Sequence, residues 1–77
     1  MQAFILIQTE VGKAPAIAAE IAKLTGVRSA EDVIGPYDVI VRVSADDVAP
    51  VVQEIRQVPG ITRTLTCDIP EKSANKI

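Results

Sequence analysis

Apolar residues follow two rhythms along this chain, runs of near neighbours and stripes spaced three or four apart, and the rhythms take turns. Gln2 to Thr9 is an apolar, β-rich run and predicts the first strand. From Lys13 to Thr25 the spacing changes: Ala14, Ile17, Ala18, Ile21 and Leu24 share one helical face, and Lys13, Glu20 and Lys23 take the other. Pro15 falls in the first turn of that helix, where a missing N–H costs nothing, and Gly26 stops it. Val27 to Ile34 predicts a second strand with a polar middle, and Asp38 to Val43 a third. Ser44-Ala45-Asp46-Asp47 opens a second helix, with Ser44 and Asp47 at the spacing of a capping box and the acids suited to the helix N-terminus. Val48, Val51, Val52, Ile55 and Val58 form its apolar stripe, Pro59-Gly60 ends it, and Ile61 to Cys67 is the fourth strand. Residues 70–77 read as a polar tail on a domain of residues 1–69.

The order βαββαβ predicts an α+β, ferredoxin-like domain: a four-stranded antiparallel sheet with both helices on one face. The two halves also resemble each other. Glu20-Ile21-Ala22-Lys23-Leu24-Thr25-Gly26-Val27-Arg28 aligns with Glu54-Ile55-Arg56-Gln57-Val58-Pro59-Gly60-Ile61-Thr62 at an offset of 34 residues.

Two helices cover only one face of such a sheet, yet the strands are not polar on the other. Phe4 and Leu6 oppose Ala3, Ile5 and Ile7 in the first strand, and Ile40 opposes Val39, Val41 and Val43 in the third. A chain of 77 residues buries only about 60% of its unfolded surface, and small domains of this kind gain support from disulfides, a metal or assembly. Cys67 is the only cysteine and there is no histidine, so no internal disulfide forms and a structural zinc site is disfavoured. Assembly is left, and the pattern predicts a homodimer formed sheet to sheet, as in dimeric α/β barrels, or by edge exchange.

Net charge is −2 and the basic residues are scattered, while aromatic residues make up 3% of the chain, so direct nucleic-acid binding is disfavoured. The opening apolar run is too short for a signal peptide or a membrane span, which gives an expected cytoplasmic location and no membrane partner. Catalysis is disfavoured too. Cys67 has no histidine to activate it, and the adjacent pairs Glu31-Asp32 and Asp46-Asp47 fit solvated or capping roles. No catalytic residue, metal ligand or cofactor is assigned.

One tetrapeptide stands apart. Gly35-Pro36-Tyr37-Asp38 lies between Val33-Ile34 and Val39-Ile40-Val41, and holds the only tyrosine in a turn rather than in the core. A plain turn accounts for the Gly, Pro and Asp. A site for a small zwitterion accounts for the same residues, with Asp38 receiving the ammonium and backbone N–H groups the carboxylate. Thr62, Thr64 and Thr66 recur at period two, with Arg63 opposite among Ile61, Leu65 and Cys67. They read equally as high β-propensity on a solvated face or as a row of hydroxyls for a ligand or neighbouring subunit.

Val33-Ile34-Gly35-Pro36-Tyr37-Asp38 before a Val-rich strand resembles the Gly-x-Tyr-Asp signature of the Lrp/AsnC regulators. Ile61-Thr62-Arg63-Thr64-Leu65-Thr66 resembles the threonine-rich last strand of their C-terminal effector domain, the RAM domain, and Val58-Pro59-Gly60-Ile61 fits the preceding junction. The similarity runs from about Phe4 to Cys67. It implies a domain that binds free amino acids and governs the assembly of dimers into rings such as octamers or decamers. The ligand-binding residues it points to are Gly35, Tyr37 and Asp38, with Thr62 and Thr64. The full-length regulators begin with a helix-turn-helix and this sequence begins at its first strand, so the expectation is a stand-alone effector domain that does not itself bind DNA. It would bind metabolites or co-assemble with full-length relatives. The alternatives are a ligand-free oligomerisation scaffold and a small dimeric α/β-barrel enzyme.

Overall fold

The computed structural model describes residues 1–70 and runs β1 (Gln2–Thr9), α1 (Ala14–Ile21), β2 (Val27–Asp32), β3 (Val39–Ser44), α2 (Val48–Arg56) and β4 (Ile61–Ile69). The strands form a single antiparallel sheet in the order β2-β3-β1-β4, so β1 and β3 are central and β2 and β4 are edges. This is the expected βαββαβ architecture. Ala3, Ile5 and Ile7 from β1 and Val39, Val41 and Val43 from β3 meet Ile17, Ala18 and Ile21 from α1 and Val48, Val51, Val52 and Ile55 from α2 in one core cluster. Both helical stripes are therefore buried on the same sheet face, as the spacing predicts.

Several boundaries move, each for a local reason. α1 stops at Ile21, four residues early, because Lys23 N–H bonds Glu20 O at 3.2 Å and Leu24 N–H bonds Ile21 O at 3.0 Å, tightening the chain toward Gly26. Leu24 still packs on the core. The expected pairing of Ser44 and Asp47 does not form a capping box: Ser44 ends β3, and Asp47 is itself the N-cap, its Oδ1 accepting from Ala49 N–H at 3.2 Å. β2 ends at Asp32, and Ile34 is fully exposed. β4 runs two residues further than expected because Asp68 and Ile69 pair with Ala3 and Gln2 at the start of β1. Of the predicted polar tail only Pro70 is described; residues 71–77 lie outside the described residues.

The internal repeat is structural as well as sequential. β1 and β4 change register between Gln8↔Arg63 and Thr9↔Ile61, leaving Thr62 as the extra residue of a bulge. β2 and β3 change register between Ser29↔Arg42 and Val27↔Val43, leaving Arg28 in the equivalent place, 34 residues earlier. Glu10 N–H bonds Gly60 O at 2.8 Å, and Ser44 N–H bonds Gly26 O at 2.9 Å, at the same offset. Both glycines have positive φ, and a Cβ on Gly26 would meet Val51 of α2 at 3.0 Å, while one on Gly60 would meet Ile17 of α1 at 2.9 Å. Each half's glycine is thus seated against the other half's helix.

The second sheet face carries a cross-strand row of apolar residues. Leu6 pairs with Ile40 on one side and with Leu65 on the other, and Phe4 pairs with Cys67. The Arg42 guanidinium lies 5.3 Å from the Phe4 ring centroid and donates twice to Gln2 Oε1, at 3.1 and 2.7 Å. No helix of the described residues reaches this face, and Leu65 is exposed on it. Among the described residues, no helix is long and apolar enough to cross a membrane.

Candidate functional site

The chain between β2 and β3 bends through residues 33–38 and closes on itself through Val33 N–H to Asp38 O at 2.9 Å. It is fastened to the end of β1 at three points: Asp38 N–H donates to Ile7 O at 2.8 Å, Thr9 N–H donates to Asp38 Oδ2 at 2.8 Å, and Gln8 Nε2 donates to Pro36 O at 3.2 Å. The second bond has a clear cause. β3 begins at Val39, opposite Ile7, so β1 outruns it by two residues and Thr9 N–H would face no strand. The Asp38 carboxylate supplies the missing acceptor. One of its oxygens is thereby engaged, and an ionised carboxylate retains further acceptor positions on the other. Tyr37 is half-buried, and Gly35 is exposed. A Cβ on Gly35 would meet nothing within 4 Å, and its φ lies outside the left-handed region. Neither backbone strain nor crowding within the chain requires glycine there.

The threonine strand is arranged differently from its simple alternation. The bulge at Thr62 shifts the phase, so Ile61 packs on the core instead of joining Leu65 and Cys67 on the open face. Thr62, Thr64 and Thr66 therefore do not make one continuous ladder. Thr62 Oγ1 donates to Gln8 O at 3.2 Å, fastening β4 to the same residue that holds Pro36. Thr64 Oγ1 accepts from Arg56 Nε at 3.2 Å. Thr62 and Thr64 share a cleft of about 280 Å³ with Ile61, Arg56 and Arg63. Thr66 instead lines a separate groove of about 420 Å³ between α2 and β4, with Asp47, Arg56 and Asp68.

The structure thus gathers the expected residues at one end of the sheet, where β1 ends and β3 and β4 begin. Gly35, Tyr37 and Asp38 lie on the β3 side, Thr62 and Thr64 on the β4 side, and Gln8 and Thr9 join them. Gln8, Thr9 and Arg56 were not singled out by the sequence reading. The first two were hidden because their role depends on strand register. Arg56 had a visible sign: the repeat places it opposite Ala22. The arrangement offers a carboxylate, backbone groups, hydroxyls and guanidinium groups, a set suited to holding a small polar ligand. Among the described residues no group of three or more His, Cys, Asp or Glu is placed to hold a metal.

Comparison with known proteins is consistent along the whole domain. The family model of the Lrp/AsnC ligand binding domain matches residues 2–69. The crystal structure of hypothetical protein PHS023 from Pyrococcus horikoshii is 33% identical, with a TM-score of 0.77, covering 96% of this chain and 95% of that one. TTHA0845 from Thermus thermophilus is 31% identical with a TM-score of 0.77, over 91% of this chain and 98% of that one. AsnC from E. coli shares the fold, with a TM-score of 0.79 at 19% identity, over 94% of this chain and 52% of AsnC, so the chain spans about half of that protein. Among curated proteins no significant match is found. With its signature turn and threonine strand fastened to the same strand end, the chain belongs to the Lrp/AsnC ligand-binding domain family.

Proposed function

We propose that this chain is an amino-acid-binding, oligomerising effector module that acts on transcription without itself contacting DNA. The observation that carries the reading is the convergence of the Gly35-Pro36-Tyr37-Asp38 turn and Thr62 on the end of β1, through Thr9 and Gln8. Asp38 offers its remaining acceptor positions to an ammonium group, and the exposed turn around Gly35 lets a ligand or subunit approach the backbone. Val11 and Ile34 add apolar side chains, both fully exposed, on loops leaving the same end of the sheet. Dimers meeting there would cover them and close the site from outside. The scattered basic residues and net charge of −2 support a role away from DNA.

A second reading rests on a different observation: the apolar row Ile40, Leu6 and Leu65 on the open sheet face is suited to assembly with or without a ligand. In that case the chain is an oligomerisation scaffold, or a partner subunit for full-length regulators. Native mass spectrometry of the purified protein, alone and with each of the common free amino acids, separates the two. A sensor shows a larger ring, such as an octamer or decamer, with retained ligand mass in the presence of its effector. A scaffold keeps one assembly throughout and retains no amino acid, and that result overturns the first reading.

A further inference from the structure

The cleft between the end of α2 and the start of β4 has a one-sided charge. Its lining residues are Arg56, Ile61, Thr62, Arg63 and Thr64, so both charged residues at it are arginines, in a chain whose net charge is negative. Arg56 comes from the helix side of β4 and Arg63, paired with Gln8, from the open-face side. Among the described residues the single ion pair is Lys23 with Glu20, and neither Arg56 nor Arg63 has a carboxylate partner. Arg56 makes one exposed bond, Nε to Thr64 Oγ1 at 3.2 Å, which leaves its two terminal nitrogens for a further acceptor.

The repeat supplies an internal control for what the fold requires here. The equivalent positions in the first half are Ala22 for Arg56, Ser29 for Arg63 and Ala30 for Thr64. Arg28 stands for Thr62 at the bulge itself, and Ala30 packs on the core, so the frame closes with no arginine at the positions of Arg56 and Arg63 and no threonine at that of Thr64. Arg56, Arg63 and Thr64 are chemistry added to one copy of a shared frame.

We propose that the Arg56–Arg63 cleft receives an anionic side chain, so that the preferred ligand is an acidic amino acid. This rests on the amino-acid-binding reading and names the ligand class for that site. The cleft and Asp38 flank β1 at the same end of the sheet, on its two sides. Asp38 Oδ2 lies on Thr9 N–H at 2.8 Å, which puts the carboxylate at β1, and Thr9 is paired with Ile61 of β4. β3 and β4 flank β1, two strand spacings or about 10 Å apart, so the ligand reaches across the end of β1. The ammonium then meets Asp38 while the side-chain carboxylate meets the planar guanidinium fork, whose geometry matches two carboxylate oxygens. Thr62 and Thr64 hydroxyls border the same space.

The test is isothermal titration calorimetry of the intact protein with L-glutamate, L-aspartate, L-glutamine, L-asparagine and succinate, on the wild type and on Arg56→Gln, Arg63→Gln and Arg56→Lys. The expected result is that the acidic amino acid binds at least tenfold tighter than its amide. Arg56→Gln and Arg63→Gln remove that preference by weakening the acid far more than the amide, and Arg56→Lys keeps part of it. Equal or tighter binding of glutamine or asparagine, or an acid preference that persists in both Gln variants, overturns the proposal while leaving the amino-acid reading intact. Arginine-dependent binding of succinate without any amino acid overturns the amino-acid reading and the ligand class with it, leaving only an anion cleft. Absence of binding by every compound overturns both.

Discussion

Asp38 does two jobs that single substitutions can separate. Its Oδ2 completes the hydrogen bonding of Thr9 N–H, a part-buried bond, and its charge is what an ammonium would recognise. Asp38→Asn keeps an acceptor oxygen and loses the charge. Ligand affinity should fall by about 1.5–3 kcal/mol, the scale of a charged hydrogen bond, while the melting temperature holds near the wild type. Calorimetric titration beside a thermal melt checks both, and unchanged affinity would remove Asp38 from the binding role. Glycines give a contrast of the same kind. Gly35→Ala adds a methyl group to open space at an ordinary φ and should move stability by less than about 0.5 kcal/mol. Gly60→Ala forces a φ of +97 on alanine and drives its Cβ to 2.9 Å from Ile17, so the loss should reach about 1–3 kcal/mol. Urea titrations of the two variants read the difference directly. A large loss in Gly35→Ala would mean that the turn constrains its own backbone after all.

At the level of elements, the alternation of β runs and helical stripes was enough to place every strand and helix in order. Burial repeats every two residues in β1 and β3 and every three or four in α1 and α2, and those periods survive any shift of boundary. Ends were harder to read because they are decided by partners distant in sequence. β4 is extended by pairing with Gln2 and Ala3, and Ile61 changes face because a bulge inserts Thr62. The turn and the threonines were visible as candidate site residues, but their fastening to Gln8 and Thr9 depends on a register that no local pattern encodes. The α2 cap is another such case: Ser44 looked suitable, and the end of β3 claimed it. Asp47 alone serves α2, so Asp47→Ala should cost about 1 kcal/mol whereas Ser44→Ala leaves the helix intact. Denaturant midpoints of the pair decide which residue caps.

The whole molecule is a sheet with one face under helices and the other bearing Phe4, Leu6, Ile40 and Leu65. Leu6 sits at the centre of that row, between Ile40 and Leu65. Leu6→Glu places a charge where two sheets would pack, and the protein should sediment as a monomer with its far-ultraviolet spectrum retained. Sedimentation identical to wild type would move the partner surface elsewhere. Ligand-driven growth of the assembly would then be tested at the opposite location, the sheet end that carries Val11 and Ile34.

The reciprocal seating of Gly26 on Val51 and Gly60 on Ile17 also bears on how the chain is made. A nascent chain that has emerged only as far as Asp38 holds half of every lock and can close none of them. β1, the first strand of the domain in chain order, waits for β4, the last, to pair along its second edge. Both glycine contacts exist only once nearly the complete domain has been translated, and the domain should unfold as one cooperative unit. A cut in either half therefore removes one partner from each glycine contact at once, and the domain is lost as a unit.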